Sequence, residues 1–427
     1  MTVAIAPPRT SLAVPTVHVL PNGVKIIAEQ IPVDAVNLSI WVNVGSAVES
    51  DDINGMAHFL EHMVFKGSDR LKVGEFERLI ESHGGNTNAG TSQDYTNYYI
   101  TVAPKDFAKL APLQLDVVLN ASIPDPEFQR ERLVVLEEIR RSEDNPERRI
   151  QRHTAEMVHE LLPYRRPVLG PAAVISQVTS EQMRDFHRSW YAPHNMTIAA
   201  VGNLPVSETI EAIANYFDRN SHPAPIPQTR PTWLPEPAFD TVVRQEVTDS
   251  SLQQARLIMT WRVPGLNAIE KTYALNILAS VLSGGRTSRL VKDLRETRRL
   301  VDRISVGNSS QLWQGTFQIF AKLDVENIPQ VEQAIREHLT KLHDEFVTMV
   351  ELEKIRTQVS NRFIFGNESP NQRAGIYGYY DRIVGHLDTA LYYPDFINAL
   401  TQADLQAAAR EYLNPDAYGV LIVKPDA

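Results

Sequence analysis

Apolar residues along this chain recur with two periods, and each period marks a different kind of element. Alternation across Val17–Ala28, interrupted by Asn22-Gly23, predicts a β-hairpin, since Asn-Gly suits the positive-φ positions of a tight turn. Tyr95–Val102, Asn37–Ile40 and Arg256–Thr260 read as further strands. Helical spacing governs Asp125 to about Glu143, with Asp125 placed as N-cap and Pro126 at the first helical position. Strands and helices mixed in this way predict an α+β fold.

The pattern also repeats. Trp41-Val-Asn-Val-Gly45 precedes Trp261-Arg-Val-Pro-Gly265 by 220 residues, each after a strand-like stretch. Thr179–Val201, with Trp190 and Pro193 before an apolar strand, precedes Thr401–Val423, with Tyr412 and Pro415, by 222. Two echoes at nearly one offset predict a duplicated domain. Six prolines between Pro223 and Pro237 mark a stiff, extended connector. The expected division is residues 1–220, a linker over 221–238, and a second unit over 239–427.

Composition narrows the function classes. Forty-two basic against 52 acidic residues, a formal charge of −10, leaves no cationic excess for nucleic acid or anionic membrane. The absence of cysteine removes thiol nucleophiles, disulfides and thiolate metal sites, so metal ligands must be His, Asp or Glu. Met1–Thr16 carries one basic residue, Arg9, and three prolines, unlike a secretory leader, and no stretch has the roughly 20 apolar residues that span a bilayer. The expected location is cytoplasmic.

Of twelve histidines only His58 and His62 lie four apart, in Asn54-Gly-Met-Ala-His-Phe-Leu-Glu-His-Met-Val-Phe-Lys-Gly67. On a helix, expected to stop at Gly67, His58, Glu61 and His62 share one face. Two imidazoles one turn apart can hold one zinc ion, with the intervening Glu beside them as general base. A third ligand must come from another element. The Asp125 helix offers Glu131 and Glu138, seven apart and therefore on one face, with Glu137 turned away by about 100°.

His58-x-x-Glu61-His62 followed by this Arg-Glu…Glu helix resembles the inverted-motif zinc peptidases of the pitrilysin or insulinase family, closest to the branch of mitochondrial processing peptidase and its bacterial relatives. The resemblance implies one zinc per chain on His58, His62 and Glu138, Glu61 as general base, and Glu131 in support of the ligands. It implies a zinc endopeptidase acting on peptides or small unfolded polypeptides inside a closed chamber, and that one such chain, folded as two duplicated α/β-sandwich domains with an antiparallel-rich sheet packed with helices, forms half of a clamshell. It further implies an edge strand at Asn88, Ala89, Gly90 and Thr91 that pairs with extended substrate.

The second half does not repeat the metal set: at an offset of 220, Leu278, Val281 and Leu282 replace His58, Glu61 and His62. Homologues that complete the site from across the chamber carry an Arg and, seven residues on, a Tyr. Here Arg295 is followed by Asp302, whose charge opposes an oxyanion. The expected assembly is therefore a heterodimer with a zinc-free homologous subunit that supplies the Arg/Tyr pair. A homodimer, or a non-catalytic assembly subunit, is the alternative.

Overall fold

The computed structural model describes residues 12–220 and 228–426, so Arg9 and the first part of the proline-rich connector lie outside the described residues. Six strands before residue 220 form one sheet: β1 (Thr16–Val19), β2 (Lys25–Gln30), β3 (Val36–Val42), β4 (Asn86–Thr91), β5 (Thr96–Val102) and β6 (Met196–Gly202), in the order β1-β2-β6-β3-β5-β4. Five later strands form a second: β7 (Val242–Thr248), β8 (Ala255–Pro264), β9 (Arg303–Ser310), β10 (Gln314–Leu323) and β11 (Tyr418–Lys424), in the order β7-β11-β8-β10-β9. The second order matches β2-β6-β3-β5-β4 strand for strand. Each sheet has one parallel pair, β2 with β6 and β7 with β11, among antiparallel neighbours.

Each sheet buries one face under helices of its own half. In the first, Leu38 and Ile40 of β3 share a core with Phe59, Leu60 and Phe128. In the second, Leu257 and Met259 of β8 pack with Leu275, Leu278 and Leu282 of the Thr272–Ser283 helix. Leu278, Val281 and Leu282 are fully interior there, so the second half builds core where the first half places imidazoles.

The other face of each sheet is covered by a helix from the opposite half. Pro370–Ile383 lies across β3 and β6, and Pro146–Val158 lies across β8 and β11. Apolar contact joins Ile27, Ala199 and Val201 to Ala374, Tyr377 and Leu391, and Ile150 to Ile258, Leu421 and Val423. Ion pairs reinforce the exchange: Lys25 to Asp381 at 2.7 Å, Arg373 to Glu29 at 2.7 Å, and Arg149 to Asp249 at 2.6 Å. The described part of the connector is neither helix nor strand, yet it is tied down. Glu236 accepts the backbone N–H groups of Glu160, Leu161 and Leu162 and pairs with Arg262, and Arg230 pairs with Asp94.

Two local expectations shift. The motif helix spans Met56–Val64 and ends before Gly67, whose φ of +98° serves the following turn. Phe65 leaves the helix to pack on Phe76 and Tyr98, which sets the earlier end. The next helix of the site spans Asp125–Asp144, with Asp125 already helical and Pro124 at the cap position; the Asp125 carboxylate bonds Ser180 and Arg184 instead of capping.

The motif helix begins at Gly55, in the left-handed region at φ +97°, where a Cβ would sit 2.5 Å from the Leu169 carbonyl oxygen. Gly55 has no side chain to cap the helix, and buried Glu49 does so from outside. Its carboxylate accepts Ala57 N–H at 2.7 Å, Gly55 N–H at 2.8 Å and the Asn54 side-chain amide at 2.8 Å. The start of the histidine helix is thereby pinned to the preceding loop. Burial pushes the Glu49 carboxyl up to about 7, against the pull of these donors and of Arg166.

Two predictions follow from this packing. A Cβ on Gly378 would lie 2.1 Å from the Trp41 indole, whereas Gly375 on the same helix has open space. Gly378→Ala is expected to cost about 1–3 kcal/mol in denaturant unfolding, and Gly375→Ala to be neutral or to stabilise by about 0.5–1 kcal/mol; equal effects would contradict the fit. The second concerns Glu49. Folding raises its pKa from 4.5 to about 7, so its proton-linked contribution to stability is complete below pH 4.5 and lost as pH rises through 7. The melting temperature of the parent minus that of Glu49→Gln should fall across that range. A constant difference would contradict a buried, proton-holding Glu49.

Candidate metal centre

Packing aims the motif helix. Met56, Ala57, Phe59, Leu60, Met63 and Val64 are buried without remainder, which leaves His58, Glu61 and His62 to turn toward the Asp125–Asp144 helix. That helix is anchored by Phe128, Val135 and Ile139, and Phe128 stacks on Phe59 with ring centroids 4.7 Å apart. Glu131 and Glu138 thus face the imidazoles, whereas Glu137 points outward to Arg140 and Arg141.

The ligand atoms converge. Glu138 Oε2 lies 3.5 Å from His58 Nε2 and 3.5 Å from His62 Nε2, and the three ligand atoms fall within 4.8 Å of one another. Ligands on a tetrahedral zinc at ordinary bond lengths stand about 3.4 Å apart. Two neutral imidazole nitrogens and one carboxylate oxygen at this spacing fit zinc in both chemistry and distance, with room for a further ligand. His58, His62 and Glu138 therefore form a site that can hold a metal ion.

His62 is gripped from both sides. Its Nδ1 donates to Glu131 Oε1 at 2.9 Å, which turns Nε2 toward Glu138 and His58. The second Glu131 oxygen pairs with Lys66 at 2.7 Å, one helical turn beyond His62. Burial lowers the affinity of His62 for a proton, but the hydrogen bond to Glu131 and the nearby Glu138 carboxylate outweigh it and push its pKa up to about 9. His58 is instead driven down to about 4, by burial first and by the His62 charge second, so its lone pair is available at neutral pH. Its Nδ1 is buried with no hydrogen-bond partner among the described residues.

Glu61 projects beside the imidazoles and accepts the Thr91 hydroxyl. Burial raises its pKa, against that hydrogen bond. Thr91 ends β4, which pairs only with β5 and forms one edge of its sheet among the described residues. Asn88, Ala89, Gly90 and Thr91 thus lie together on that edge, with Thr91 at the Glu61 end. Neither the Lys66–Glu131 pair nor the Thr91–Glu61 bond was signalled by spacing; both arise from where the elements cross. Arg295 pairs with its neighbour Glu296 at 2.6 Å, and Asp302 is exposed just before β9.

Residues 25–172 match the family model described as Insulinase (Peptidase family M16), and residues 177–359 match that described as Peptidase M16 inactive domain. An uncharacterized zinc protease of Bacillus subtilis is 28% identical over 416 residues, covering 95% of this chain and 97% of the relative. A probable mitochondrial-processing peptidase subunit beta of Arabidopsis thaliana is 28% identical over 341 residues, covering 76% and 62%. The crystal structure of a protease from Helicobacter pylori superposes with a TM-score of 0.88 at 25% identity, covering 96% of this chain and all of that one. With successive M16 models along its length, that shared two-domain fold and a two-His, one-Glu cluster suited to zinc, the chain belongs to the insulinase family of zinc peptidases.

Proposed function

We propose that this chain is the zinc-bearing subunit of an endopeptidase that cuts peptides or small unfolded polypeptides inside a closed chamber. The observation that carries the reading is the pair of 3.5 Å separations from Glu138 to His58 and His62, with Glu61 on the same helix face. His58, His62 and Glu138 are the residues that would hold zinc. When bound, zinc supplies Lewis acidity, which makes water a better nucleophile near neutral pH and polarises the peptide carbonyl. Glu61 takes the proton of the attacking water and delivers it to the departing amine. Thr91 orients the Glu61 carboxylate, and Glu131 holds the His62 ring by its Nδ1–H. The free edge of β4 offers backbone groups to an extended peptide at Asn88–Thr91, which selects conformation before side chain.

The partner is proposed to be a zinc-free homologous subunit that contributes an Arg and a Tyr across the chamber, because Arg295 is engaged by Glu296 and Asp302 stands where the Tyr is expected. A homodimer is the alternative.

Glu61→Gln should keep one zinc per chain by atomic absorption and lose about 10²–10⁴-fold in turnover of a mixed peptide substrate; substantial residual hydrolysis would remove Glu61 from the role of base. Glu138→Gln should lose zinc on dialysis that the parent retains, and unchanged metal content would move the third ligand elsewhere. For the assembly, the chain purified alone should turn over poorly and gain activity with a subunit recovered from native extract. Full turnover by the isolated chain would end the heterodimer proposal.

A further inference from the structure

Beside the metal centre lies a cavity of about 200 Å³ whose lining includes five arginines, Arg148, Arg149, Arg152, Arg165 and Arg166, with Glu143 as its one acidic residue. Guanidinium groups stay charged at any physiological pH, so such a gathering calls for counter-charge. It stands out in a chain whose formal charge is −10.

The chain's own carboxylates satisfy three of the five. Arg149 is held by Asp249 at 2.6 Å, Arg152 by Glu143, and Arg166 by Asp51 at 2.9 Å. Arg165 reaches only the already engaged Asp51, at 3.8 Å. Arg148 makes no side-chain hydrogen bond or ion pair among the described residues. It acts on Glu138 through charge alone, adding to the stronger effects of the two imidazoles.

The cavity's position says what its ligand is attached to. Ser142, on its wall, is one helical turn past Glu138, and Gln93, also on its wall, is two residues past Thr91 at the end of β4. A group seated among these arginines therefore belongs to a chain that also crosses the zinc ligands and the β4 edge. We propose that this cavity is a substrate subsite for a peptide carboxylate, an acidic side chain or a chain terminus near the cleaved bond, with Arg148 and Arg165 as the groups that receive it. The inference rests on the peptidase reading above and adds a substrate class to it.

The test uses the full chain carrying Glu61→Gln and fluorescence anisotropy, so that binding is read without turnover. The probes are neutral peptides in which a single Glu, or its isostere Gln, is walked along the sequence, each with a free or amidated C-terminus. At one register, or with the free terminus, the carboxylate should tighten binding about tenfold, the effect of one charge-assisted pair, and the gain should shrink with added salt. The two C-terminal arms separate a side-chain carboxylate from a chain terminus. Adding Arg148→Glu should invert the preference in favour of a Lys-containing probe. Equal affinity for Glu and Gln probes throughout, or a preference untouched by Arg148→Glu with Arg165→Glu, would overturn the subsite. The peptidase reading is judged separately, by whether the zinc-loaded parent, combined with the subunit recovered from native extract, cleaves any of these peptides: cleavage of all at equal rates sinks the subsite alone, and cleavage of none despite a carboxylate preference sinks the peptidase reading alone.

Discussion

One imidazole between two carboxylates sets the geometry on which the site depends. Glu131 and Glu138 lie two turns apart on one helix and approach opposite nitrogens of His62, at 2.9 Å and 3.5 Å. The first contact is a hydrogen bond that fixes the tautomer and ring plane; the second is longer than such a bond and matches two ligands of one tetrahedral ion. With His62 so oriented, His58 needs only its place one turn earlier, where packing already holds it. The site is thus built from two helices locked by Phe59 against Phe128 and needs no loop to complete its ligand set.

The rest of the fold holds those helices still. Glu49 ties the start of the motif helix to the loop before it, and the Asp125–Asp144 helix runs into Pro146–Val158, which crosses to the second sheet. The second half thereby bears on the first, through a helix lent in each direction and through Asp94, which bonds Arg230 of the connector, Tyr164 and the Leu312 backbone. The second half, with an apolar core at Leu278 and Leu282 where the first half places its imidazoles, acts as a brace.

Local periodicity made much of this legible. The four-residue spacing of His58 and His62 and the seven-residue spacing of Glu131 and Glu138 are properties of a helix, readable without a fold, as is the echo of Trp41 in Trp261. Which glutamate faces which nitrogen is a matter of how two helices cross, and the resemblance to a known family supplied the assignment. Nothing in the spacing of residues along Pro146–Val158 or Pro370–Ile383 says which sheet each covers, so the exchange between halves was out of reach. The same holds for Glu49, Lys66 and the arginine cavity, whose members are charged residues of ordinary spacing brought together only by folding. Gly67 was misread as a helix stop because a positive-φ glycine marks a turn without saying that the helix has already ended.

Zinc-edge anomalous diffraction from crystals of the zinc-loaded chain tests the central claim most directly. The account predicts a single strong peak bounded by His58 Nε2, His62 Nε2 and the Glu138 carboxylate, with Glu131 on Nδ1 of His62 and outside bonding distance of the metal. A peak ligated by Glu131 instead of Glu138, or zinc bound only away from the two histidines, would contradict it.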